Sequence, residues 1–133
     1  DTIRQELARY GHHLGMAFQL IDDVLDYSGD SSELGKNIGD DLAEGKPTLP
    51  LIYTLQFSQP EDASLVRRAI EEKSAQNLTS IIHIVQNNGA LHYTEQAALR
   101  EVEAALACLD VLPPSHYRDE LIALAHFAVK RRY

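Results

Sequence analysis

Apolar positions recur at three- and four-residue intervals along almost the whole chain, and no stretch alternates apolar and polar positions between hairpin turns. That pattern predicts an all-α fold. A first long helix is expected over residues 2–27, closed by Ser28-Gly29-Asp30, where Gly29 can adopt the left-handed conformation that ends helices. Residues 31–41 contain Gly35 and Gly39 among polar neighbours, too glycine-rich to continue the helix and too short to link domains, so they read as a functional loop. Thr48 is placed to cap a second helix over 49–57, with Pro50 in the first turn, where a missing amide costs nothing. Pro60 interrupts the pattern, and Asp62 then sits in the acidic first turn of a helix running to Lys73. Further helices are expected over 77–88, ending before Gly89, and over 90–112, stopped by Pro113-Pro114. Ser115 caps a last helix with Leu121, Leu124, Ala125 and Ala128 along one side.

The first helix carries the most specific chemistry. Consecutive residues advance by about 100°, so Asp22 and Asp26 leave one face of the helix, one turn apart. Towards the N-terminus that stripe continues through Gln19, Gly15 and Gly11, whereas Leu14, Phe18, Leu20, Ile21, Val24 and Leu25 cover much of the remaining circumference. A helix so apolar on its other sides is expected to be buried, with its acidic stripe facing an internal cavity. Carboxylates there call for cations, and hard divalent ions that join carboxylates to substrate phosphates suit the Asp22-Asp23-Val24-Leu25-Asp26 spacing. An isolated DDxxD is as readily a solvated charge cluster; the apolar setting of Phe18-Gln19-Leu20-Ile21 argues against that reading. Gly35-Lys36 and Gly45-Lys46 add two lysines on a segment able to return over the acidic helix, although each pair alone is an ordinary surface feature.

Charge and composition narrow the classes of partner. A formal net charge of −8 repels nucleic acid and anionic membrane surfaces, so an anionic substrate requires metal ions or local basic groups. The single cysteine, Cys108, has no internal disulfide partner, and there is no signal pattern and no long apolar run of transmembrane length. A soluble, cytoplasmic protein is the expectation. The first residues already read as helix without an initiator methionine, so the chain is expected to begin in mid-protein.

Taken in order, residues 15–27, then Gly35-Lys36, Asp40-Asp41-Leu42 and Glu44-Gly45-Lys46-Pro47-Thr48-Leu49-Pro50, resemble the trans-isoprenyl diphosphate synthases. Residues 121–129 resemble the C-terminal helices of the bacterial octaprenyl diphosphate synthase branch. The resemblance implies an all-α, isoprenoid-synthase-type helical bundle around a deep cavity, homodimeric, with two aspartate-rich motifs holding Mg2+ on facing helices. Only the second motif is present, so residues 1–133 are expected to form the C-terminal portion of one such domain, its N-terminal half absent. By position, the resemblance gives Asp22 and Asp26 to magnesium and Asp23 to support of the cluster. It places Gln19 near the allylic diphosphate, Lys36 on that diphosphate, and Asp41 and Lys46 where they help close and charge-balance the site. The implied activity lengthens an allylic diphosphate with isopentenyl diphosphate into an all-trans polyprenyl diphosphate, of medium to long chain and of the octaprenyl kind, for quinone side chains. With half the groups missing, the isolated chain is expected to be inactive. The competing expectation is a non-catalytic subunit, or a helical metal- and diphosphate-binding module, partnering a complete synthase.

Other features add little. His12 and His13 point about 100° apart and cannot chelate one ion from their helix alone, and His83, His92, His116 and His126 share no ligand spacing. Cys108 reads as a small core side chain, and Tyr10, Tyr27 and Tyr53 as packing residues. Lys130-Arg131-Arg132 reads as a solvated basic end rather than a substrate contact.

Overall fold

A computed structural model describes residues 1–28, 42, 44–73 and 76–130. The described residues form six α-helices and no strand: α1 Thr2–Leu25, α2 Leu49–Phe57, α3 Pro60–Glu72, α4 Leu78–Asn87, α5 Ala90–Cys108 and α6 His116–Lys130, with a 3-10 turn at Leu109–Val111. The all-α expectation holds. The chain divides into two compact units, one from Asp1–Ile21 with Glu95–Arg132, the other from Asp22–Thr94.

In the first unit, Tyr10, Leu14 and Ala17 of α1 are buried with Val102, Ala105, Cys108 and Leu109, and with Ala125 and Ala128 of α6. Their three- and four-residue spacing on α1 puts one stripe into the core, and alanine at Ala105, Ala125 and Ala128 lets backbones approach closely. Asp1 starts α1 as its cap, its Oδ1 accepting the amide of Ile3 at 3.0 Å. The Tyr10 hydroxyl donates to the Leu121 carbonyl at 2.6 Å, joining α1 to α6 across 111 positions of sequence. His13 Nδ1 lies 2.8 Å from Glu101 Oε2 on α5, a partly buried link between the two helices. The side chain of Ser115 caps α6 as expected, accepting the Arg118 amide at 3.1 Å.

Four expectations need correction. The α-helical part of the first helix stops at Leu25, and Tyr27 instead donates its amide to Val24 at 3.0 Å, a tighter final turn. Residues 90–112 are not one helix: α5 ends at Cys108 and tightens into the 3-10 turn before Pro113. Thr48 occupies the N-cap position of α2 with extended backbone, but its side chain makes no capping bond and its Oγ1 is buried without a hydrogen-bond partner. Leu124 is 42% exposed while Ala125 and Ala128 are fully buried, because the buried face of α6 is centred a quarter turn away from Leu124.

Burial raises the pKa of two groups in this unit. The Tyr10 phenol is pushed above its ordinary 10.0 by desolvation. The Cys108 thiol is pushed above 9.0, first by burial and then by the neighbouring Glu6 carboxylate, with Arg9 opposing. Both folded values exceed the unfolded ones, so between each pair of values the unfolded state binds fewer protons and stability falls as pH rises. Denaturant melts should therefore show constant stability from these groups below pH 9, and loss beginning near 9.0 and continuing past 10.0. A Cys108→Ala chain should lack the earlier part of that loss.

The second unit is built on Tyr27, Leu42, Leu51, Val66, Ala69, Ile81, Val85 and Ala90, with α2, α3 and α4 packed on one another. Buried Thr54 is satisfied on both sides: its hydroxyl donates to Pro50 at 2.7 Å and accepts from Asn88 at 3.0 Å. Among the described residues no helix is long and apolar enough to cross a membrane.

Candidate diphosphate and metal site

Asp22, Asp23 and Asp26 lie in the second unit, where α1 ends. The Asp26 amide donates to the Asp22 carbonyl at 3.1 Å, so the backbone keeps helical geometry through the motif even after the regular helix has closed. Its three carboxylates nevertheless have different surroundings. Asp23 is 5% exposed and Asp26 only 2%, whereas Asp22 is exposed. The expectation that the whole stripe faces an enclosed cavity is corrected for this chain: Gln19, Gly15 and Gly11 are exposed, and nothing lies within 4 Å of a Cβ built at either glycine.

Two anchors hold the motif, one at Tyr27, already read as a packing residue, and one that the sequence does not signal. Tyr27, fully buried, plugs the core of the second unit immediately after Asp26. Its carbonyl, at the end of the chain's first helical run, accepts a 2.8 Å hydrogen bond from Gln86 Nε2 on α4. The helix end that carries Asp23 and Asp26 is thereby fixed to a helix some sixty positions away in sequence. A polar side chain on the exposed face of an amphipathic helix gives no sequence signal for such a role.

Lys46 lies in the same unit, in a turn of defined shape. Leu42 is fully buried in the core, its carbonyl accepts the Gly45 amide at 2.9 Å, and the Lys46 carbonyl accepts the Thr48 amide at 3.0 Å. The Lys46 ammonium sits 2.8 Å from Glu44 Oε2, with both side chains more than half exposed. An exposed pair of this kind contributes at most about 1 kcal/mol. Gly45 has φ +75°, a left-handed conformation that glycine adopts without penalty. Thus Asp22, Asp23, Asp26 and Lys46 share one compact unit, while Gln19 lies on α1 within the other. Lys36 and Asp41, with the Gly35-Lys36 loop and Gly29, lie outside the described residues, as do Arg131 and Arg132.

The donor set can be judged against a divalent ion. Carboxylate oxygens at adjoining turns suit hard cations, and magnesium commonly takes one or two such ligands and completes its shell with water and phosphate oxygens. Among the described residues no group of three or more histidine, cysteine, aspartate or glutamate side chains is disposed to hold an ion. Asp22, Asp23 and Asp26 could supply carboxylate oxygens to such an ion.

The described residues are all helical, and the long first helix ends in an aspartate-rich motif that is followed in sequence by a glycine-lysine turn. More particularly, residues 1–87 match the polyprenyl synthetase family, and the chain belongs to it. The chain is 51% identical over 128 residues to the all-trans-nonaprenyl-diphosphate synthase (geranyl-diphosphate specific) of Rhodobacter capsulatus, covering 96% of this chain and 39% of that protein. It is 48% identical over 126 residues to the octaprenyl diphosphate synthase of Escherichia coli (strain K12), covering 94% of this chain and 39% of the relative. Its fold superposes on the crystal structure of a polyprenyl synthase from Caulobacter crescentus CB15 complexed with calcium and isoprenyl diphosphate, with a TM-score of 0.89 and 40% identity. That match covers all of this chain and 42% of the other. The chain spans about two-fifths of the length of these relatives, and aligns with their C-terminal part.

Proposed function

We propose that the chain forms the C-terminal part of a trans-polyprenyl diphosphate synthase, a transferase that joins isopentenyl diphosphate to an allylic diphosphate and releases diphosphate. The observation that carries this reading is the burial of Asp23 and Asp26 beside exposed Asp22 at the end of α1, in a chain of this family. Two carboxylates held out of water within one turn concentrate negative charge where a divalent cation is strongly favoured. In this reading Asp22 and Asp26 ligate or orient Mg2+, and Asp23 supports them. Magnesium, when bound, neutralises charge on the departing diphosphate oxygens. Lys36 and Lys46 bring cations to those oxygens, Gln19 contacts the allylic diphosphate, and Asp41 balances charge as the loop closes. The allylic carbon–oxygen bond breaks, the isopentenyl double bond attacks the resulting cation, and the proton then lost passes to the released diphosphate. No enzyme nucleophile is needed. Similarity to octaprenyl and nonaprenyl synthases supports a medium to long product; in this reading the product serves quinone side chains and the whole protein is a cytoplasmic homodimer.

The isolated chain supplies one wall of the site and is expected to bind without turnover. Titration calorimetry with inorganic diphosphate should show binding only when magnesium is present, weakened about tenfold or more in Asp22→Ala, whose melting temperature stays near wild type because the side chain is exposed. Equal binding by both chains would sink the assignment. Formation of a longer prenyl diphosphate by residues 1–133 alone would refute the claim that essential groups lie elsewhere.

A further inference from the structure

The segment that carries Lys46 rests against the end of α3. Lys73, which follows that helix, is the one non-glycine residue with positive φ among the described residues, at φ 50° and ψ 47°, and its amide closes the helix onto Ala69 and Ile70. In this conformation its aliphatic stem lies against Gly45. A Cβ added at Gly45 would come within 2.9 Å of Lys73 Cγ, 3.2 Å of the Ile70 carbonyl oxygen and 3.4 Å of Lys73 Cε. Two left-handed residues, 28 positions apart, thus meet back to back. A β-carbon on a residue costs free energy in that region, and glycine at a helix C-terminus avoids the cost. Helix closure alone is therefore better served by glycine at position 73, and the lysine stem needs another account.

We propose that Lys73 is a positioning residue: its stem is the seat on which Gly45 rests, and it sets where Lys46 points. The inference builds on the reading of Lys46 as a diphosphate-binding cation. On one side of Lys46 the turn is tied to buried Leu42 through the Gly45 amide, and on the other the Thr48 amide returns to Lys46. The stem of Lys73 and the Ile70 carbonyl lie against the bend between them. Removing the stem frees that bend without touching the core.

The test compares Lys73→Gly, Lys73→Met and Gly45→Ala in the 133-residue chain, by magnesium-dependent binding of inorganic diphosphate, hydrogen exchange and thermal melts. Lys73→Gly should melt at the wild-type temperature or up to about 4 °C higher, yet bind diphosphate about tenfold more weakly, with faster exchange at the Gly45 amide. Lys73→Met keeps the stem and loses the charge, and should retain both affinity and protection. Gly45→Ala should lower the melting temperature, and by less in a Lys73→Gly background, where the Cγ it meets is gone. Equal weakening in Lys73→Met and Lys73→Gly would overturn the proposal, since Lys73 would then act through its charge. Unchanged affinity and exchange in Lys73→Gly would overturn it also. If wild type shows no magnesium-dependent binding, the functional reading of Lys46 fails by itself, and the exchange and double-variant results still decide whether Lys73 seats Gly45.

Discussion

Asparagine in place of Asp26 lowers the affinity of the chain for magnesium diphosphate by about a hundredfold or more. The size follows from where the side chain sits. Asp26 is 2% exposed, so its charge acts through protein rather than through water. Two unit charges 4 Å apart interact by about 4 kcal/mol at the intermediate polarity of a protein surface, and the partner here carries two charges. A hundredfold change corresponds to about 2.7 kcal/mol, well inside that scale. The amide keeps the volume and one acceptor oxygen, so packing around Tyr27 is retained and the loss reads as lost charge. Calorimetric titration of both chains with magnesium and inorganic diphosphate measures it. An affinity within threefold of wild type would remove Asp26 from the proposed ligand set, whatever the fate of Asp22.

The second large effect falls on stability. Tyr27→Ala should destabilise the second unit by about 3–5 kcal/mol, the range for truncating a large buried aromatic side chain. Tyr27 is fully buried among Leu42, Leu51, Val66, Ile81 and Val85, so removal leaves a void on all sides. With a typical urea dependence, the midpoint falls by about 2 M. Tyr27→Phe should retain most of the stability, because the ring supplies nearly all the buried volume. Urea melts of the three chains test this order, and similar midpoints for Tyr27→Ala and wild type would show that the core does not depend on the ring. Magnesium diphosphate binding should disappear with the fold in Tyr27→Ala, since the plug and the helix end carrying the aspartates are contiguous.

Periodicity and breaks carried most of the secondary structure. The gaps around Pro60, Gly89 and Pro113-Pro114 fall where the chain turns, and the reading of Tyr10, Tyr27 and Cys108 as core residues agrees with exposures of 5%, 0% and 3%. What periodicity missed were outcomes decided by distant partners. Leu124 has the spacing of a core residue, yet the alanines beside it take the buried face. Thr48 has the chemistry of a cap without making the bond. Within the motif, a helical wheel pairs Asp22 with Asp26, but burial sets Asp23 with Asp26 and leaves Asp22 outside. That partition depends on what packs around the helix end, including a carbonyl bonded by Gln86, which local spacing cannot supply. Likewise, Gly45 reads as loop freedom in sequence, whereas in the structure it is a close contact with a residue 28 positions later. The family resemblance was legible because it rests on residue order and identity over some fifty positions, which tertiary contacts do not alter.

The hydrogen bond from Tyr10 to Leu121 ties the opening helix to the last one, whereas Asp22–Thr94 is a single uninterrupted stretch. Contacts close in sequence form sooner than those that must close a long loop. During synthesis the stretch bearing the aspartates and Lys46 can therefore assemble while the final helix is still inside the ribosome.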